Sequence, residues 1–215
     1  MMYLTEPKIN DYIRELSSNA QLAEHEQTVL REMDDYARAY NFPIIGSLAG
    51  RVLRQLAMIT RAERILELGS GYGYSAVWFI GGMKPEGKII CTDGSEDNKT
   101  KALQYFRKLG IESRIDYRVG DALDIIRTLD GSFDIILNDI NKKQYPEALK
   151  LALPKLRSGG IFITDNVLWS GRILNDNPDQ STKAILEFNR KIFETDGVFS
   201  SIIPVRDGLG IVVKQ

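Results

Sequence analysis

The chain has 215 residues, enough for one domain with a sizeable core, and its 43% hydrophobic and 27% charged content is ordinary for a globular protein. Its 28 basic and 29 acidic side chains leave a formal net charge of −1, so no global field directs it to nucleic acid. The single Cys91 excludes an internal disulfide, and no apolar run is long enough to span a bilayer. Met1 to Pro7 lacks the basic-then-apolar pattern of a signal peptide, so the expectation is a cytoplasmic protein with Cys91 as a buried thiol.

From Pro7 to Tyr40 the apolar positions Ile13, Leu16, Leu22, Val29, Leu30, Met33 and Tyr36 recur at helical spacing, which predicts a helical cap over residues 1–42. It either covers a site or supports a dimer; His25, between Glu24 and Glu26, reads as a surface residue. Asn41-Phe42-Pro43 breaks the pattern, and a helix opens at Ser47. From residue 43 onward the chain reads as one unit. β-rich runs at 64–68, 87–91, 115–119, 133–137 and 160–163 alternate with helical patterns at 98–109, 122–129 and 145–156. Parallel neighbours need such crossovers, so the alternation predicts an α/β, Rossmann-like, doubly wound and mostly parallel sheet. A helix near 185–193 and two β-like runs at 198–203 and 210–213 follow. Arg206-Asp207-Gly208 between those runs suits a turn, and therefore an antiparallel hairpin at the sheet edge.

Two strand ends carry the chemistry. The run 160–164 finishes in Asp165-Asn166, and the run 133–137 finishes in Asn138 and Asp139, with Asn141-Lys142 just beyond. Neighbouring strands of an open α/β sheet converge on the crevice where ligands bind. Two carboxylates with an amide oxygen form a hard-oxygen set for Mg²⁺ or Ca²⁺, and Mn²⁺ accepts the same donors. Lys142 beside them is a candidate for moving a proton, on the same face as Asp139 if the segment makes a helical turn.

The strand 64–68 runs into Gly69-Ser70-Gly71-Tyr72-Gly73-Tyr74-Ser75. Glycines at a strand-to-helix turn bring the backbone close to a ligand, although three spaced glycines also serve a plain tight turn. Asp93 stands after the next strand, where an acid holds the hydroxyls of a ribose. A dinucleotide loop asks for glycine where Tyr74 stands, and a pyrophosphate is repelled by Glu67. A ligand with an ammonium and a sulfonium tolerates that carboxylate, which favours S-adenosylmethionine over NAD.

Together these segments resemble the small, metal-dependent catechol/caffeoyl-CoA-type O-methyltransferases. The resemblance rests on Leu66 to Ser75, Gly120-Asp121-Ala122, Asp139-Ile140-Asn141-Lys142 with Tyr145, Asp165 to Gly171, Phe188-Asn189, and Pro204 to Leu209. It implies a seven-stranded sheet with one antiparallel strand near the C-terminus, a homodimer, and methylation of a vicinal dihydroxy aromatic. It further implies Asp139, Asp165 and Asn166 as metal ligands and Lys142 as general base. Asp93 is matched to the ribose, with Gly94 and Glu67 counted among the cofactor contacts. Gly69 with Asp139 faces the methionyl ammonium, Ser75 the carboxylate, and Ile45 the methionine end; Asp121, Ala122 and Ile140 border the adenine.

Three positions depart from the family pattern. Asn141 replaces an aspartate, Asp93 a glutamate, and Asn138 an apolar residue. Related enzymes of this fold methylate a hydroxylated uridine in tRNA, so tRNA stays open as a substrate, as does a non-catalytic cofactor-binding role. Trp169 either lines the substrate mouth or simply packs.

Overall fold

Aliphatic and β-branched residues fill both faces of the central strands, as expected where helices cover both sides of a parallel sheet. The computed structural model describes residues 7–18 and 21–215. Met1 to Glu6, read above for a signal peptide, and residues 19–20 of the cap lie outside the described residues. The strands are β1 (Arg64–Leu68), β2 (Lys88–Asp93), β3 (Ile115–Val119), β4 (Phe133–Asn138), β5 (Leu156–Thr164), β6 (Val198–Ile203) and β7 (Leu209–Lys214). They form one seven-stranded sheet in the order β3-β2-β1-β4-β5-β7-β6. β1 to β5 run parallel, and β7 lies antiparallel between β5 and β6. The predicted hairpin is therefore present at the edge, with its second strand inserted inward.

The helices are α1 (Pro7–Ser18), α2 (Glu24–Tyr40), α3 (Gly46–Thr60), α4 (Tyr74–Ile80), α5 (Glu96–Lys108), α6 (Ala122–Thr128), α7 (Tyr145–Ala152) and α8 (Gln180–Glu194). Alternation along the strands separates two cores. Ile65, Ile89, Ile135, Leu137 and Ile163 face α2 to α5, where they meet Met33, Leu53, Val77 and Phe106. Leu66, Leu68, Ile136, Phe162 and Val212 face α6 to α8 and meet Ile126, Leu149, Ile185 and Phe188. Each such side chain contributes about 1.5–3 kcal/mol when fully buried. Because α2 shares its core with the sheet, the cap is fastened to it; Tyr72 Oη also donates to the Met33 carbonyl at 2.9 Å. His25 is exposed.

The helix expected over 145–156 stops at Ala152. A 3-10 turn at Leu153–Lys155 follows, and Leu156 already belongs to β5, paired with Phe133. Pro154 lacks the amide hydrogen that a continuing helix needs, and an apolar partner draws Leu156 into the sheet. Among the described residues, no helix is long and apolar enough to cross a membrane.

Strand order places the site. β2 and β3 extend the sheet to one side of β1 and β4 returns to the other, so the crevice opens at the carboxyl ends of β1 and β4. Register aligns Leu68 with Asn138 and Asn138 with Thr164. The next residues, Gly69, Asp139 and Asp165, then stand in a row. The ladder continues into them: Asp139 N donates to the Leu68 carbonyl at 2.8 Å, and Asp165 N to the Asn138 carbonyl at 3.1 Å.

Candidate active site

The row of strand ends opens into a cavity of about 430 Å³. Its glycine wall demands residues without side chains. Gly69, Gly71 and Gly73 stand at φ +85°, +52° and +86°, a region L side chains avoid. A Cβ on Gly69 would lie 2.4 Å from the Asp139 carbonyl oxygen, so the β1 and β4 ends meet only because this residue is glycine. Beneath the loop, Glu67 is fully buried and burial pushes its carboxyl up to about 7. The Ser70 and Ser75 hydroxyls and the Cys91 thiol pull the other way, yet Oε1 makes no hydrogen bond. An unpartnered buried carboxylate oxygen under a glycine loop fits a cationic ligand above it.

Asp93 is held on both oxygens. Oδ2 accepts from Gly71 N at 3.1 Å, and Oδ1 accepts from Ser95 N and Asn98 Nδ2, each at 2.9 Å. The shorter acid thus ties the glycine loop to the start of α5 while still lining the cavity.

At the other end, Lys142 Nζ donates to Asp139 Oδ1 at 2.9 Å and approaches the Ile140 carbonyl at 3.4 Å. The pairing arises without a shared helical turn, because Asp139 follows β4 directly and Lys142 opens a separate 3-10 turn. Nζ also lies 5.1 Å and 5.7 Å from the ring centres of Tyr145 and Trp169. Asp165 is 1% exposed. Burial and, next, the Asp139 charge raise its carboxyl well above the usual range, while Arg206 and Lys142 pull it back. Arg206 Nη1 donates to Asp165 Oδ2 at 3.0 Å, and Tyr145 Oη donates to the Asp165 carbonyl at 2.8 Å. Asn166 stands at φ +60°, with its N–H on Asp165 Oδ1 at 2.8 Å. Trp169, Ser170 and Arg206 also have positive φ, a clustering typical of functional loops at about 1–3 kcal/mol for each strained residue.

The donor chemistry fits a divalent cation. The Asp139 charge helps raise the Asp165 carboxyl, so a cation near both would relieve that repulsion, and the Asn166 amide offers a third hard oxygen. Among the described residues, no three His, Cys, Asp or Glu side chains cluster, so the set depends on that amide.

Ile45, Gly69, Ser75, Asp93, Asp139, Lys142, Asp165, Asn166 and Trp169 all line this one cavity. Glu67, Gly94, Asp121, Ala122 and Ile140 are outside its lining. Asp121 caps α6, its Oδ1 accepting from Leu123 N at 2.8 Å and Asp124 N at 3.0 Å. Asn141 caps the 3-10 turn through Lys143 N at 3.1 Å. Asn138 is buried under the row with Nδ2 3.5 Å from Thr164 Oγ1, a polar cross-strand pair in an otherwise apolar layer.

The O-methyltransferase family model matches residues 17–215. The chain belongs to that family. It is 28% identical over 176 residues to a catechol O-methyltransferase of Niastella koreensis, covering 77% of this chain and 80% of the relative. It is 29% identical over 173 residues to caffeoyl-CoA O-methyltransferase 1 of Eucalyptus globulus, covering 74% and 70%. Among solved structures, the O-methyltransferase TomG of Streptomyces achromogenes, in complex with S-adenosylmethionine, superposes with a TM-score of 0.84 at 25% identity, covering 97% of this chain and 96% of that one.

In this O-methyltransferase, sequence reasoning missed Arg206, Phe42, Pro43 and Tyr72 as cavity residues. The sequence reading places Arg206 in a turn and in the segment Pro204 to Leu209 that carries the resemblance, but gives it no role in the site. The available signal was an arginine beside Asp-Gly, where the backbone adopts the φ > 0 conformation glycine fills most easily.

Proposed function

We propose that this enzyme methylates a hydroxyl of a catechol-like, vicinal dihydroxy aromatic compound, using S-adenosylmethionine and a divalent cation, Mg²⁺ first among those the donors accept. The observation that carries the reading is one cavity lined by both the glycine loop with Asp93 and the set Asp139, Lys142, Asp165 and Asn166. The names of the catechol and caffeoyl-CoA relatives support the substrate class.

In this reading the donor supplies an electrophilic methyl on a sulfonium. Gly69 and Gly71 leave room for it, Ser75 and Asp93 bind its polar ends, and buried Glu67 provides negative charge beneath its cationic end. Asp139, Asp165 and the Asn166 amide hold the cation, which supplies Lewis acidity toward adjacent hydroxyls. Lys142 as the neutral amine takes the hydroxyl proton at Nζ and becomes the ammonium that pairs with Asp139 Oδ1, while the rings of Tyr145 and Trp169 wall it in. Holding the two reactants in one cavity supplies proximity, a major part of the rate enhancement.

The test begins with calorimetry against S-adenosylmethionine and NAD, followed by a Mg²⁺-dependent methylation assay on a simple catechol. Asp165→Ala is expected to lose Mg²⁺-dependent turnover even at excess metal; undiminished turnover overturns the metal assignment. In the same assay Lys142→Met retains cofactor affinity but loses roughly 10²–10⁴-fold in kcat, the range for a general base. An unchanged rate removes Lys142 from that role.

A further inference from the structure

Arg206 reaches into the cavity from the β6–β7 turn, and neither methyl transfer nor proton removal uses it. The turn is firmly built: Gly208 N donates to the Val205 carbonyl at 2.9 Å, Leu168 N to the Asp207 carbonyl at 2.9 Å, and Ser170 N to Asp207 Oδ1. It is therefore tied to the loop that carries Asn166 and Trp169. Arg206 stands at φ +52°, and its stem passes beside Gly46, where an added Cβ would lie 3.8 Å from Cδ. A positive-φ backbone and an anchored turn hold the guanidinium at Asp165, where Nη1 lies 3.0 Å from Oδ2.

Asp165 is 1% exposed where it lines the cavity, and a buried carboxylate without a counter-charge is costly. Lys142 pairs with Asp139, so the direct counter-charge on Asp165 comes from Arg206. A guanidinium does not give up its charge at any pH proteins tolerate, and it donates without accepting. It and a divalent cation therefore compete for the same oxygen. The Arg206 side chain is 35% exposed, which gives it a path outward into solvent.

We propose that Arg206 is a built-in competitor of the divalent cation: its hold on Asp165 Oδ2 must be released before that oxygen coordinates. The proposal rests on the divalent-cation reading above. It makes Arg206 a positioning residue that lowers apparent metal affinity by the fraction of molecules in which the pair is closed.

The experiment is Mn²⁺ titration by calorimetry on the full chain, without methyl donor or aromatic substrate, so the readout is independent of turnover. Arg206→Met keeps the aliphatic stem and removes the charge; it is expected to bind Mn²⁺ about tenfold more tightly than the wild type, the factor for a pair closed about nine-tenths of the time. Arg206→Gln gives the same reading if the methionine variant is unstable. Arg206→Lys keeps a charge and is expected to bind more weakly than either. Adding Asp165→Asn to the wild type and to the Arg206→Met variant should remove the difference between them. Wild-type binding with equal or weaker binding in Arg206→Met and Arg206→Gln overturns the competitor alone, as does Arg206→Lys binding as tightly as Arg206→Met. Absence of Mn²⁺ binding in the wild type and all charge-removing variants overturns the cation reading and the competitor with it.

Discussion

Glu67 shows how one side chain links stability to ligand charge. Below pH about 4.5 its carboxyl is protonated in both folded and unfolded chains and costs nothing. As pH rises, the unfolded chain ionises first while burial holds the folded carboxyl neutral to about 7, so stability falls across that window. Above it the cost is constant, roughly 3 kcal/mol for a buried carboxyl displaced from 4.5 to about 7. Glu67→Gln is therefore expected to flatten the pH dependence of the ligand-free melting temperature between pH 5 and 7.5. Parallel wild-type and variant curves would show that Glu67 does not bear this cost. The same substitution removes the negative charge proposed to lie beneath the sulfonium end, so it weakens S-adenosylmethionine binding as it stabilises the ligand-free chain. At this scale the residue types were legible. The partners of Asp93 were not, because its hydrogen bonds come from a loop 22 residues earlier as well as from its own turn.

The strand-turn-helix unit at Gly69 carries the next level. Alternation and glycine spacing marked β1 and α4, since both depend on neighbours within a few residues. Boundaries set by tertiary contact escaped: Leu156 continues a helical apolar pattern, but pairing with Phe133 makes it sheet. Gly69→Ala tests the close approach of β1 and β4. With φ +85° and 2.4 Å to the Asp139 carbonyl oxygen, the methyl group forces the two strand ends apart. The expected loss is about 1–3 kcal/mol, from strain and overpacking, with weaker methyl-donor binding by calorimetry. An unchanged urea midpoint together with unchanged affinity would refute the close-contact argument.

Across the molecule, the sheet's second core reaches the site through aromatic contact. Phe162 on β5 packs against Phe188 at 6.3 Å between ring centres, Phe188 against Tyr145 at 5.6 Å, and Tyr145 Oη holds the Asp165 carbonyl. Phe162 is fully buried, so Phe162→Ala is expected to cost about 3–5 kcal/mol in urea unfolding. A loss below about 1 kcal/mol would mean the core closes around the void. By itself the sequence determined the alternating α/β plan, the glycine loop, the acids at strand ends and the family resemblance, because periodicity and local motifs are short-range properties of the chain. Only the tertiary structure decided that β7 enters between β5 and β6, that its turn brings Arg206 onto Asp165, and that Asn138 sits against Thr164. Those pairings join residues far apart in sequence, and hydrogen-bonded register across the sheet, which no local pattern encodes, selects them.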